Sequence, residues 1–94
     1  MFVLQIEHVA KNFESWKKAF DSDPANRKQS GVKAYRILRS AGDPNLVIIE
    51  LEFNTRGEAE LMHEKLGGIW KQLEGKVIEG VKARVCEVVE TITL

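Results

Sequence analysis

Ninety-four residues make one domain, residues 1–94, whose thin core hides roughly 60–68% of the surface that the unfolded chain exposes. With 44% hydrophobic and 30% charged residues the composition is globular, and fourteen basic against fourteen acidic side chains leave no excess for nucleic acid. No apolar stretch approaches the roughly 20 residues of a membrane span, no basic, apolar leader opens the chain, and the single cysteine, Cys86, fits a reducing, cytoplasmic setting.

Residues 2–9 predict a strand, with Phe2, Leu4 and Ile6 on one side and Gln5 and Glu7 on the other. Asn12 is a natural N-cap for a first helix, whose stripe is Phe13, Trp16 and Phe20. Asp23-Pro24 ends that helix, because the residue before proline avoids helical backbone angles. A short helical turn is expected to restart at Pro24 and stop at Gly31.

Residues 32–39 and 46–53 read as two strands joined by the turn formers Ala41-Gly42-Asp43-Pro44-Asn45, so they pair as a hairpin. Facing positions put Arg36 and Glu50 on the same side of it. Thr55 and Glu58 form a capping box ahead of a second helix, in which Ala59, Met62, Leu66, Trp70, Leu73 and Val77 keep helical phase. Gly67-Gly68 costs roughly 1 kcal/mol per glycine and predicts a break or kink. A last strand is expected from about 82 to 93.

The order β-α-β-β-α-β is that of an α+β, ferredoxin-like fold, a four-stranded antiparallel sheet with both helices on one face. Right-handed crossovers put strands one and three in the middle. Strand three, Leu46 to Phe53, is apolar on both faces over much of its length, as strands covered on both sides are. Two helices cover only one face, so a second copy packed sheet against sheet is the economical cover, and a homodimer is expected.

Chemistry-bearing residues fall into a few groups. Glu7, Arg36, Glu50 and Glu52 stand inside strands; lining a partly enclosed cavity they would suit acid–base work, and otherwise they are cross-strand ion pairs. His8, near the end of the first strand, is a general base or a hydrogen-bonding loop anchor. His63 sits among Glu60, Glu64 and Lys65 on a solvated helix face. Trp16 and Phe20 read as core. Trp70 follows the glycine pair and reads as core or as the mouth of a ligand pocket. Cys86 reads as a small buried hydrophobe. Two histidines 55 positions apart and one cysteine make no metal-binding spacing, and no glycine loop fits a phosphate-binding fingerprint.

His8-Val9, Trp16-Lys17-Lys18, Phe20-Asp21, Arg27, Gly31-Val32, Tyr35-Arg36, Arg39, Asp43-Pro44-Asn45 and Phe53 resemble small proteins of the dimeric α/β-barrel superfamily, over roughly residues 1–66. The resemblance implies a dimer whose two sheets close around a shared barrel. Such relatives include cofactor-free quinol or polyketide monooxygenases, haem-degrading enzymes and aromatic cyclases. The haem-degrading members use an Asn on the first strand, a Trp and a later His. Here the first strand carries Gln5 and Glu7, and His63 precedes Trp70, which argues against haem chemistry; no cofactor is expected. Shared fold does not carry function across. Two function classes follow: an enzyme or binder of monooxygenase or cyclase type, taking a small hydrophobic or aromatic compound in the barrel, or a noncatalytic stress-responsive or ligand-carrying dimer. In the first, His8, Arg36, Glu50 and Glu52 are the catalytic candidates and Glu7 and Trp70 the ligand-binding ones.

Overall fold

Strict alternation builds the centre of the sheet. Along β1 (Phe2–Ala10) Leu4, Ile6, His8 and Ala10 are buried while their neighbours are half-buried, and β3 (Leu46–Phe53) repeats the pattern with Val47, Ile49, Leu51 and Phe53. The computed structural model describes residues 1–94, and in it these strands pair antiparallel from Phe2 opposite Phe53 to Val9 opposite Leu46. β2 (Ala34–Arg39) and β4 (Ile78–Glu87) flank them, giving the order β2-β3-β1-β4. Strands one and three are central, as expected, and the β-α-β-β-α-β order is ferredoxin-like.

α1 (Phe13–Asp21) starts where Asn12 Oδ1 accepts from the Ser15 N–H at 3.0 Å. α2 (Arg56–Leu73) starts at Thr55, whose Oγ accepts from the Glu58 N–H at 3.2 Å. The return arm of the box differs from expectation: the Thr55 hydroxyl donates to Glu58 Oε1 at 3.0 Å. Both helices cover the sheet face that carries the buried strand residues. Trp16, Ala59 and Met62 are the helix residues that reach the core, with Phe13, Phe20, Leu66, Ile69, Trp70 and Leu73 packed around them.

Four expectations require correction. Residues 24–31 form successive turns rather than a helix, because Asp23 (φ 57°) and Asn26 (φ 49°) both sit in the left-handed region and interrupt it. α2 runs unbroken through Gly67-Gly68: apolar residues before the pair (Met62, Leu66) and after it (Ile69, Trp70, Leu73) dock on the same core, outweighing the propensity cost. β4 begins at Ile78 and ends at Glu87, where its neighbour β1 runs out at Phe2; beyond it only the Val88 N–H finds β1's end, at Met1 O. Cys86 is half-buried, on the sheet face without helices, opposite Val3.

β4 carries one irregularity that matters for the site. Glu7 pairs with Lys82 but Val9 pairs with Glu79, so Gly80 and Val81 bulge out opposite His8, with Gly80 at φ 66°.

Candidate functional site

The sheet sorts the candidate residues onto two faces. Position 8 shares its parity with Leu4, Ile6 and Ala10, so His8 points under the helices; positions 5 and 7 point to the open face. Register then places Arg36, Glu50, Gln5 and Arg84 in one row across all four strands of that open face.

This row is a hydrogen-bonded ladder. Arg36 Nε donates to Glu50 Oε1 at 2.6 Å, Gln5 Nε2 donates to Glu50 Oε2 at 3.2 Å, and Arg84 donates to Gln5 Oε1. The Arg36–Glu50 contact meets the expectation from the hairpin register. The Arg36 hydrogen bond, joined by that from Gln5 and by the guanidinium charge, holds the Glu50 carboxyl below its ordinary range against the opposing effect of partial burial. Glu52 lies one row on, between Ala34 and Val3, and Glu7 lies in the row of Leu38, Ile48 and Lys82. Gln5, Arg36, Glu50 and Glu52 line an open depression of about 500 Å³ with Val3 and Cys86.

The helix-covered face holds a different kind of space. A cavity of about 80 Å³ lies between sheet and helices, walled by Trp16 and Phe20 from α1, Met62, Leu66, Ile69, Trp70 and Leu73 from α2, and Ile6, His8, Ile49, Leu51 and Ile78 from the sheet. Only two polar side chains reach it, His8 and Arg27. Arg27 is tied down: Nη1 donates to Phe20 O at 2.7 Å, Nε stands 3.5 Å from Asp23 Oδ1, and the guanidinium lies over the Phe20 and Tyr35 rings at 4.0 and 4.9 Å.

His8 has a ring nitrogen left over. It is 2% exposed, its ring meets Trp16 edge-on at 5.3 Å, and its buried Nδ1 has no hydrogen-bond partner. Burial pushes the imidazole below its ordinary value of 6.5, with the Val9 backbone and the Glu74 carboxylate opposing this more weakly. The ring is therefore predominantly neutral at pH 7, and a buried ring nitrogen without a partner costs about 1–3 kcal/mol unless something supplies one. A neutral imidazole in an apolar cavity can accept a hydrogen bond or a proton from a bound hydroxyl.

The expected residues thus do not form one site. His8 and Trp70 share the cavity; Arg36, Glu50, Glu52 and Glu7 share the opposite face. Trp16, read as core, also walls the cavity, and Arg27 and Met62 were not singled out for a site. The parity of His8 with Leu4 and Ile6 was the available signal for the cavity; nothing local marks Arg27 or Met62. No group of three or more His, Cys, Asp or Glu side chains is gathered as a metal site. No helix is long and apolar enough to cross a membrane.

No family model and no curated protein matches the sequence. Solved structures do match in shape. A candidate antibiotic biosynthesis monooxygenase from Deinococcus radiodurans superposes with a TM-score of 0.67 at 16% identity, covering 100% of this chain and 98% of that one. A protein described as dimeric and ferredoxin-like, from an uncultured marine organism, gives 0.71 at 16% identity, with 97% of each chain covered. A candidate antibiotic biosynthesis monooxygenase from Nitrosomonas europaea gives 0.70 at 19% identity, over 94% of this chain and 89% of that one. At these identities the likeness establishes the ferredoxin-like fold.

Proposed function

We propose that the chain works as a homodimer in which each copy holds a small hydrophobic, preferably aromatic, compound bearing a hydroxyl between its sheet and its helices. The carrying observation is the partnerless Nδ1 of His8 in an otherwise apolar cavity. Apolar walls favour a ring, and one fixed acceptor favours a donor on that ring. This moves the ligand from the space between the two sheets to the space under the helices.

The chemistry that these residues support is proton removal. The ligand's O–H bond gives its proton to Nδ1, the electron pair stays on the ligand oxygen as a phenolate or enolate, and the imidazole becomes a cation opposed by burial. Such an activated anion is a starting point for monooxygenase-like and for cyclase-like reactions, and the monooxygenase names of the structural neighbours agree with that direction. A second reading, a carrier that holds its ligand unchanged, draws on the engagement of Arg27: its tethers leave His8 as the cavity's one free polar group.

Dimerisation is supported by the open sheet face. Val3, Val9, Leu38, Leu46 and Ile48 are half-buried there, and structural neighbours are described as dimeric. We assign Glu7, Arg36, Glu50 and Glu52 to that interface.

Phenol and toluene, titrated against the protein with the His8 ring signal followed by NMR, test the cavity reading. Phenol is expected to bind tighter and to shift His8, and His8→Phe to erase the preference. Equal affinity for the two probes, or a shift confined to Glu50 and its row, overturns it.

A further inference from the structure

The cavity is too small for the ligand assigned to it. About 80 Å³ is roughly half the 150 Å³ that an apolar protein cavity offers when it takes up benzene. A single ring therefore needs additional room, and one side chain controls it.

Trp70 stands between two spaces. Its inner side walls the cavity with Leu66, Ile69 and Leu73, and its outer side walls a surface groove of about 520 Å³ between α2 and β4. The groove is lined otherwise by His63, Gly67, Lys71, Glu74, Val81 and Ala83. One of these, Val81, belongs to the bulge of β4 opposite His8. The His63 ring rests on Trp70 at 5.9 Å, tilted by 54°.

The glycine pair sits just ahead of Trp70, and packing does not explain it. A Cβ at Gly67 or at Gly68 would meet no atom within 4 Å, and neither residue has a positive φ. Alanine therefore fits at both positions, and would hold the helix more firmly. What glycine adds is a weak place in the ladder, where the last turn and a half of α2 can part from the remainder at low cost.

We propose that α2 is hinged at Gly67-Gly68 and that Trp70 is the door of the cavity. When the segment from Ile69 to Leu73 swings out, the indole leaves the cavity wall, the cavity joins the groove, and a ring-sized compound passes to His8. This rests on the cavity reading above, since a door needs a chamber.

Hydrogen exchange and binding kinetics, read on the wild type, on the double variant Gly67→Ala/Gly68→Ala and on Trp70→Ala, decide it. In the wild type the amides of residues 69–73 are expected to exchange faster than those of 60–66. Each alanine favours the closed helix about fivefold, so the pair is expected to slow that exchange about 25-fold while raising the melting temperature. Phenol association should slow and its Kd should rise by up to about 25-fold in the double variant, because the bound ring holds the segment open, and association should accelerate in Trp70→Ala. Uniform exchange along α2, or unaltered phenol rates in the alanine pair, overturns the door and leaves the cavity reading standing. Failure of phenol to bind the wild type and Trp70→Ala alike overturns the cavity reading, and the door with it.

Discussion

His8 ties the fold's stability to pH. Its folded pKa lies below the 6.5 of the free side chain, so the unfolded chain takes up a proton first as pH falls. The stability held by the neutral ring is complete above 6.5 and is lost as pH drops through the lowered folded value. Urea midpoints measured from pH 7.5 downward should decline between pH 6.5 and that lowered value, and His8→Leu should flatten the decline there; an identical slope in the variant would separate His8 from it. Gly31 makes a second test at the same scale. It sits at φ 98°, and a Cβ there would stand 2.3 Å from Glu58 Oε2. Gly31→Ala should therefore cost about 1 kcal/mol or more, from backbone strain and from displacing Glu58 together. The Gly31 conformation was readable from the turn residues before it, whereas its contact with Glu58 joins positions 27 apart and leaves no local trace.

Among the elements, the helix caps and central strands followed from local chemistry, because each depends on residues three apart or on period-two alternation. Asn12, Thr55 and the stretch 46–53 all stand where those rules put them. β4 did not, since its limits are set by β1, its partner across the sheet. The same distinction explains α2, whose continuity comes from docking on the sheet and not from its own residues. Thr55→Ala should cost about 1 kcal/mol by urea denaturation. It should also combine with Gly31→Ala less than additively, because both disturb Glu58, which Thr55 holds at 3.0 Å. Full additivity would mean that Glu58 does not link the two.

For the whole molecule, the open sheet face is the surface on which the proposed dimer is tested. A chain of 10.7 kDa should scatter light at micromolar concentration as about twice that mass, and a stable monomer there would defeat the sheet-to-sheet dimer. Glu50 reports on the same contact. In the isolated chain Arg36 is 71% exposed, so water screens the pair and a double-mutant cycle should give about 1 kcal/mol or less. Within a dimer the row is desolvated and the coupling should rise with protein concentration across the dissociation midpoint. A coupling independent of concentration would detach the ladder from assembly. The two-faced layout was legible in the alternation of β1 and β3. Which face encloses a cavity was not, because enclosure depends on where two helices come to rest.

The bulge at Gly80 has a consequence beyond the space opposite His8. β4 is an outer strand, and its outward N–H and C=O groups are the sort of template on which further chains add without end. At Gly80 and Val81 that template is interrupted, leaving only the short run Ile78–Glu79 on one side and Lys82 to Glu87 on the other, with Lys82, Arg84 and Glu87 exposed along the longer piece. An incoming strand would have to match the same local twist and the same charges to continue. An edge broken at this glycine and charged along its longer piece is a poor template for adding further chains.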